Sequence, residues 1–266
     1  MFDSGVGGLT VVASLRSRLP ALDLVYLGDT ARLPYGTKSA ATVARYTHRN
    51  ISFLLDRGVD GIVVACNSAS AMALDTLAVS VPVWGVIEPG AAAAAACSVS
   101  RVGVIATEAT VRSQAYPRAL HRLRPELDVR AQPCPLLVPL VEEGWLDDEV
   151  TDRVLRRYLE PLLLWGMDTL VLGCTHYPLL EPAVRRVVGP AVTLVDSAAA
   201  VSARVAEDLA TSGAEVTGSA GGRLELLVTD DSPAFARLAE RILDESVRLH
   251  WVDTVPATAA LMESLS

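Results

Sequence analysis

An apolar run of strand length, Thr169-Leu-Val-Leu172, breaks into Gly173, Cys174, Thr175 and His176, and Tyr177-Pro178 then opens a helical pattern. Proline is tolerated in a first helical turn, because the amide it lacks would go unbonded there. A thiol, a hydroxyl and an imidazole therefore sit where a strand ends and a helix begins. In open α/β sheets that is where ligands bind. Helix-start amides and the helix dipole favour thiolates and carboxylates at such a point. The device recurs once. Gly61-Ile-Val-Val-Ala65 leads to Cys66, Asn67 and Ser68, with a helical pattern from Ala69 on. Two such turns, one in each half, suggest a duplicated fold with one thiol from each half facing a shared cleft.

The remaining sequence keeps the alternation that this reading needs. Apolar runs predict strands over 22–27, 62–65, 83–87, 102–106, 127–132, 168–172, 193–195, 224–228 and 248–252. Helical spacing predicts helices over 8–19, 39–57, from 69 to about 79, from near Ser113, and over 147–165, 179–188, 198–211 and 233–243. Strands alternating with helices mean mainly parallel sheets flanked by helices, an α/β fold of two similar, pseudo-symmetric domains. Glu88-Pro89-Gly90 and Asp196-Ser197-Ala198 are the expected crossings. They give a discontinuous first domain, 1–90 plus 197–266, with a second, 91–196, inserted in it. The stretch 213–222 reads as a glycine-rich surface loop, and Ala91–Cys97 as a buried helix.

The 266 residues, 51% of them hydrophobic, suit two modest domains with buried sheets. No apolar run reaches the ~18 residues of a membrane span. No signal-peptide pattern follows Met1, so a cytoplasmic location is expected. A net charge of −8 argues against a nucleic-acid-binding face. The four cysteines, at 66, 97, 134 and 174, show no CxxC spacing, and a cytosolic chain keeps them reduced. Cys97 and Cys134 read as buried small hydrophobes.

Other candidates have a plain reading beside a chemical one. Asp3-Ser-Gly-Val-Gly-Gly8 is glycine-rich and precedes a helix, but it lacks the Walker lysine and the GxGxxG spacing. Its glycines are expected to let backbone approach a small anion at a helix start. Asp3 reads equally as a solvated carboxylate near the N-terminus, and Glu142 with Glu143 as a solvated pair. His176 beside a thiol points to function rather than to a core histidine. Two further ligands at sensible spacing are missing around Cys174 and His176, so no metal is expected. Lys38 is the only lysine. It lies in a polar loop, which leaves pyridoxal chemistry little to rest on, and no cofactor is expected. A Cys–His hydrolase would explain Cys174 with His176, but it leaves Cys66 without a role.

Five segments, in order along nearly the whole chain, resemble glutamate racemases. They are Phe2-Asp-Ser-Gly-Val-Gly-Gly-Leu-Thr10, Tyr26-Leu-Gly-Asp-Thr-Ala-Arg-Leu-Pro-Tyr-Gly36, Ala65-Cys-Asn-Ser-Ala-Ser70, Cys134-Pro-Leu-Leu-Val-Pro-Leu-Val-Glu142 and Leu172-Gly-Cys-Thr-His-Tyr-Pro-Leu-Leu180. The resemblance implies a cofactor-independent racemase that interconverts L- and D-glutamate and supplies D-glutamate for peptidoglycan, as a homodimer. It implies Cys66 and Cys174 as the two acid/base groups, Cys66 acting on D-glutamate and Cys174 on L-glutamate. Asp3 would assist the first thiol and His176 the second, with Glu142 near the second. Substrate would be held by Asp3, Ser4, Pro34, Tyr35, Gly36, Asn67, Ser68, Thr175 and His176. Where Ser68 stands the family usually has threonine, so a methyl group is lost and the hydroxyl kept. The nearest alternative is a racemase of the same plan acting on another amino acid or a hydantoin. From a different class, some relatives bind and inhibit DNA gyrase, a role associated with extra N-terminal sequence that these residues lack.

One expectation concerns the start of the sequence. Cys66 and Cys174 each follow an apolar run, whereas only Met1 and Phe2 precede Asp3. The first strand is therefore expected to be cut short, and a chain extended upstream by one strand to be more stable and more active.

Overall fold

The computed structural model describes residues 1–213 and 221–254, so most of the expected 213–222 loop falls outside the described residues. The chain opens with β1 (Phe2–Asp3), α1 (Leu9–Arg18), β2 (Leu24–Gly28), α2 (Ala40–Asp56), β3 (Ile62–Val64), α3 (Asn67–Ala73) and β4 (Val83–Gly85). It continues with α4 (Ile87–Cys97), β5 (Arg101–Ala106), α5 (Glu108–Ser113), α6 (Ala115–Leu123), β6 (Asp128–Pro133), α7 (Leu137–Glu142), α8 (Glu149–Trp165) and β7 (Thr169–Gly173). The last elements are α9 (Glu181–Val188), β8 (Thr193–Asp196), α10 (Ser197–Ser212), β9 (Leu224–Val228), α11 (Pro233–Leu243) and β10 (Leu249–Trp251).

Two sheets result, ordered β10-β9-β2-β1-β3-β4 and β6-β5-β7-β8, with parallel neighbours throughout. The core of the first sheet, β2-β1-β3-β4, has the same strand order as the second. In each, the second strand flanks the first and the third lies on the first strand's other side. Cys66 follows the third strand of one set and Cys174 the third strand of the other, so the duplicated turns are topological equivalents. Every residue of β3 and β7 is buried. Such strands read as unbroken apolar runs, because helices cover both faces of a parallel sheet.

Local chemistry sets several element ends. Ser39, Asp148 and Asp196 cap α2, α8 and α10 by accepting from Thr42 N, Val150 N and Ala198 N. Gly166 closes α8 at φ 81°, a conformation open to glycine.

Four sequence expectations shift. Glu88-Pro89-Gly90 is not a loop but the first turn of α4, and the preceding strand stops at Gly85. The helix after Cys66 ends at Ala73 and continues as a 3-10 turn over Leu74–Thr76. The helix expected near Ser113 is two helices broken at Gln114, φ 57°. Pro117 has no amide to give the Ser113 carbonyl, and the Arg118 side chain donates to that carbonyl instead. Tyr177–Leu180 is a 3-10 turn, with α9 starting only at Glu181. Cys134 is buried as expected, whereas Cys97, at the end of α4, is exposed.

β1 spans two residues, yet it lies between β2 and β3. Phe2 stands opposite Leu27 and Val64, and Ala65 N donates to Phe2 O at 2.9 Å. This places Asp3 at the same sheet edge as Cys66. On the other side of Met1, Leu24, Val25 and Gly61 border a cavity of about 1080 Å³. No helix among the described residues is long and apolar enough to cross a membrane.

Candidate active site

Both sheets turn their C-terminal strand ends towards one cavity of about 210 Å³. That is below the ~300–1,000 Å³ of drug-sized pockets and suits a molecule the size of an amino acid. Cys66 and Cys174 both line it, each nearly buried and each a free thiol. Ser4, Pro34, Tyr35, Gly36, Asn67, Ser68, Glu142, Thr175 and His176 line it as well. Asp3 does not. It is fully buried behind the lining, where its carboxylate accepts from Gly5 N at 3.0 Å and from Thr175 Oγ1 at 3.4 Å.

The two thiols have different surroundings. Cys66 Sγ points at Ser4 Oγ, 3.7 Å away. Burial, with the Asp3 carboxylate adding to it, pushes this thiol up to about 12, so at neutral pH it carries its proton. Cys174 Sγ lies 3.9 Å from His176 Nδ1. His176 Nε2 lies 3.3 Å from Glu142 Oε1, an ion-pair distance without the alignment of a hydrogen bond. Burial alone would lower the imidazole's pKa. Cys174, Glu142 and the nearby Asp3 outweigh it and raise the pKa to about 10, which makes His176 a buried cation at neutral pH.

The glycine-rich opening has a different use from the one its composition suggests. A Cβ on Gly7 would lie 2.4 Å from His176 Nδ1 and 2.5 Å from Thr175 Oγ1. The loop lacks a side chain there so that the second thiol's partners can pack against it. No anion is needed to explain the glycine.

Tyr35 lines the cavity with its hydroxyl turned away. That hydroxyl donates to Asp29 Oδ2 and accepts from Asn50 Nδ2 at 3.1 Å. Asp29 is fully buried and also accepts from Arg32 Nη1 at 2.6 Å and Thr229 Oγ1 at 3.0 Å. This network holds the Pro34–Gly36 segment as one wall. Across the cavity, Ser68 Oγ meets Thr107 Oγ1 at 2.9 Å and Thr110 Oγ1 at 3.3 Å. Those bonds join α3 of the first strand set to the α5 turn of the second.

Sequence reasoning missed Leu33, Thr37, Thr107, Glu108, Pro135, Val138 and Pro139, all of which line the cavity. Three of the misses had a signal. Thr107 follows the first strand of the second set, as Ser4 follows β1. Val138 and Pro139 lie four and three residues before Glu142, on the same face of α7. Among the described lining residues there is no lysine or arginine, and His176 is the only basic side chain. Asn67 Nδ2 is buried without a hydrogen-bond partner. An unpaired buried donor at a cavity wall is the kind of group a ligand satisfies.

Comparison with known proteins agrees with this geometry. The model of the Asp/Glu/hydantoin racemase family matches residues 9–205. A glutamate racemase of Geobacter metallireducens is 51% identical over 246 residues, 91% of each chain. The solved glutamate racemase isoform of Bacillus anthracis superposes with a TM-score of 0.91 at 36% identity, over 95% of this chain and 96% of that one. The Francisella tularensis glutamate racemase, solved in complex with D-glutamate, superposes at 0.89 and 35% identity over the same shares. A match that runs through both strand sets and both cysteine turns leaves one assignment: this chain belongs to the Asp/Glu/hydantoin racemase family.

Proposed function

We propose that this protein is a glutamate racemase, an isomerase that interconverts L- and D-glutamate by moving a proton at Cα and supplies D-glutamate for peptidoglycan. The observation that carries the reading is the pair of free thiols, delivered by topologically equivalent turns to one small cavity. Inverting a stereocentre by proton transfer takes two groups on opposite faces of Cα, one as thiolate and one as thiol. With L-glutamate bound, the Cys174 thiolate takes the Cα proton, and Cys66, which keeps its proton at neutral pH, gives one to the other face. D-glutamate reverses the roles. His176, with Glu142 beside it, assists Cys174, and Asp3 assists Cys66. Ser4, Asn67, Ser68 and Thr175, with the Pro34–Gly36 wall, hold the substrate.

Cα–H is far less acidic than a thiol, so the site has to stabilise the carbanion-like transition state. Fixed neutral donors in a site shielded from water do this without reorganising. The relatives' shared substrate name favours glutamate over another amino acid or a hydantoin. A division into domains 1–90 plus 197–266 and 91–196 goes with this reading, as do a homodimer and a cytoplasmic location. The test is polarimetry of purified protein with each glutamate enantiomer. Rotation should decay to zero from either side, without added cofactor. Stable rotation from both enantiomers would overturn the proposal.

A further inference from the structure

Asn67 stands in the cavity wall with one end of its amide paired and the other not. Its Oδ1 accepts from the Tyr116 hydroxyl at 2.8 Å, and its Nδ2 is buried and unpartnered. Tyr116 does not line the cavity. It belongs to α6, whereas Asn67 opens α3, so the bond reaches from one strand set to the other. A side-chain amide can turn over and exchange its donor and acceptor. A carboxylate on the cavity side meets it in one sense only, because a carboxylate can only accept. The Tyr116 hydroxyl, giving its proton to Oδ1, holds the amide in that same sense.

The ring has little freedom to do otherwise. Tyr116 is almost fully buried. A Cβ on Gly90 would lie 3.1 Å from its hydroxyl oxygen, and one on Gly173 the same distance from its ring. Gly90 is in α4, where the chain passes from the first sheet to the second, and Gly173 ends the strand before Cys174. The phenol is thus clamped by the backbone that also presents the second thiol. Burial raises its pKa, so it remains a donor throughout the physiological range.

We infer that Tyr116 is a positioning residue: its hydroxyl fixes the Asn67 amide so that Nδ2 faces the cavity and donates to a substrate carboxylate. The inference rests on the glutamate racemase reading. In a cavity lined without lysine or arginine, a turned amide would present an acceptor oxygen to a carboxylate. Losing that donor should weaken binding about tenfold, within the range for a hydrogen bond to a charged group.

The experiment uses the full chain and both enantiomers. Tyr116→Phe keeps the ring and should raise KM for L- and for D-glutamate about tenfold, with kcat changed less than threefold. In an Asn67→Ala background, adding Tyr116→Phe should raise KM no further. A purely structural tyrosine would instead add its own effect in both backgrounds. Unchanged KM in Tyr116→Phe, or additive effects in the double variant, would overturn the inference. If Tyr116→Phe does not fold, Asn67→Asp decides: it keeps an acceptor for Tyr116 and replaces the donor with a carboxylate. KM should then rise at least tenfold, and an unchanged KM would overturn the inference. Wild-type racemisation, measured alongside, separates failure of this inference from failure of the functional reading.

Discussion

In the proposed reaction two thiols move the proton, but smaller residues decide whether that can happen. Gly7 is one. Its missing Cβ leaves room for His176 and Thr175, and Gly7→Ala would push both by an ångström or more. Displacement of that size costs about 100-fold in rate where geometry is tight. Gly7→Ala is therefore expected to lose at least that much kcat while staying folded, as read by polarimetry and circular dichroism. A second prediction follows from the proton on His176. Its folded pKa lies near 10, above the ordinary value of 6.5. Stability from that proton is complete below 6.5. It falls as pH rises, because the unfolded chain releases the proton first. Cys66 titrates higher, from 9 upwards. The buried Met1 amine, lowered by burial from 8.0 to about 5, titrates in the same range with the opposite sign, so the histidine is read by difference. Between about pH 6.5 and 8.5 the wild-type melting temperature should fall relative to that of His176→Gln. Equal slopes would mean that His176 is neutral in the folded protein.

At this scale the sequence was legible wherever a residue sat directly at a strand end in its own turn, as Cys66, Asn67, Cys174 and His176 do. Asp29 was not legible. Its burial matters only because Arg32 and Tyr35 from the following loop, Asn50 from α2 and Thr229 just after β9 converge on it. Asp29→Ala would leave those donors without their acceptor. A loss on the order of 2–4 kcal/mol is expected, read as a lower melting temperature.

Among the elements, β1 is the anomaly. It carries Asp3 and pairs on both sides, yet it has only two residues. β2 beside it is five residues long and is paired over its full length on its other flank by β9. The first half of β2 therefore borders a cavity instead of a strand. A parallel strand gains stability from ladder bonds and from side chains buried on both faces, at ~1.5–3 kcal/mol for each large apolar residue. A variant with five or six apolar, β-branched residues placed before Met1 is expected to run along Leu24 and Val25 and to melt at a higher temperature. Equal melting temperatures would show that those strand edges are already satisfied. Sequence pattern located nearly all the other elements, because burial on both faces writes itself as an apolar run. It misjudged element ends where a backbone detail decided them. At Gln114 the missing amide of Pro117 splits a helix, and at Glu88-Pro89-Gly90 a first-turn proline passes for a loop.

The whole molecule is two copies of one strand order meeting at their C-terminal edges, and the copies have diverged around their thiols. One thiol has a carboxylate behind it and a serine hydroxyl in front. The other has an imidazole and, beyond it, a glutamate. Those surroundings are not interchangeable, so each half should serve one enantiomer. Ordinary racemisation would hide this, since removing either thiol should stop the full reaction. A glutamate analogue with a leaving group on Cβ separates the halves. Once the Cα proton is taken, the electron pair left on Cα expels the leaving group and forms the Cα–Cβ double bond, so no second thiol is needed. Cys66→Ser should eliminate from the L analogue, through Cys174, and fail on the D analogue. Cys174→Ser should do the reverse, and both variants should be inert as racemases. The release of the leaving group from each enantiomer, followed by ion chromatography, gives the four rates directly. Comparable residual rates on both enantiomers in both variants would mean that the two halves do not divide the faces of Cα between them.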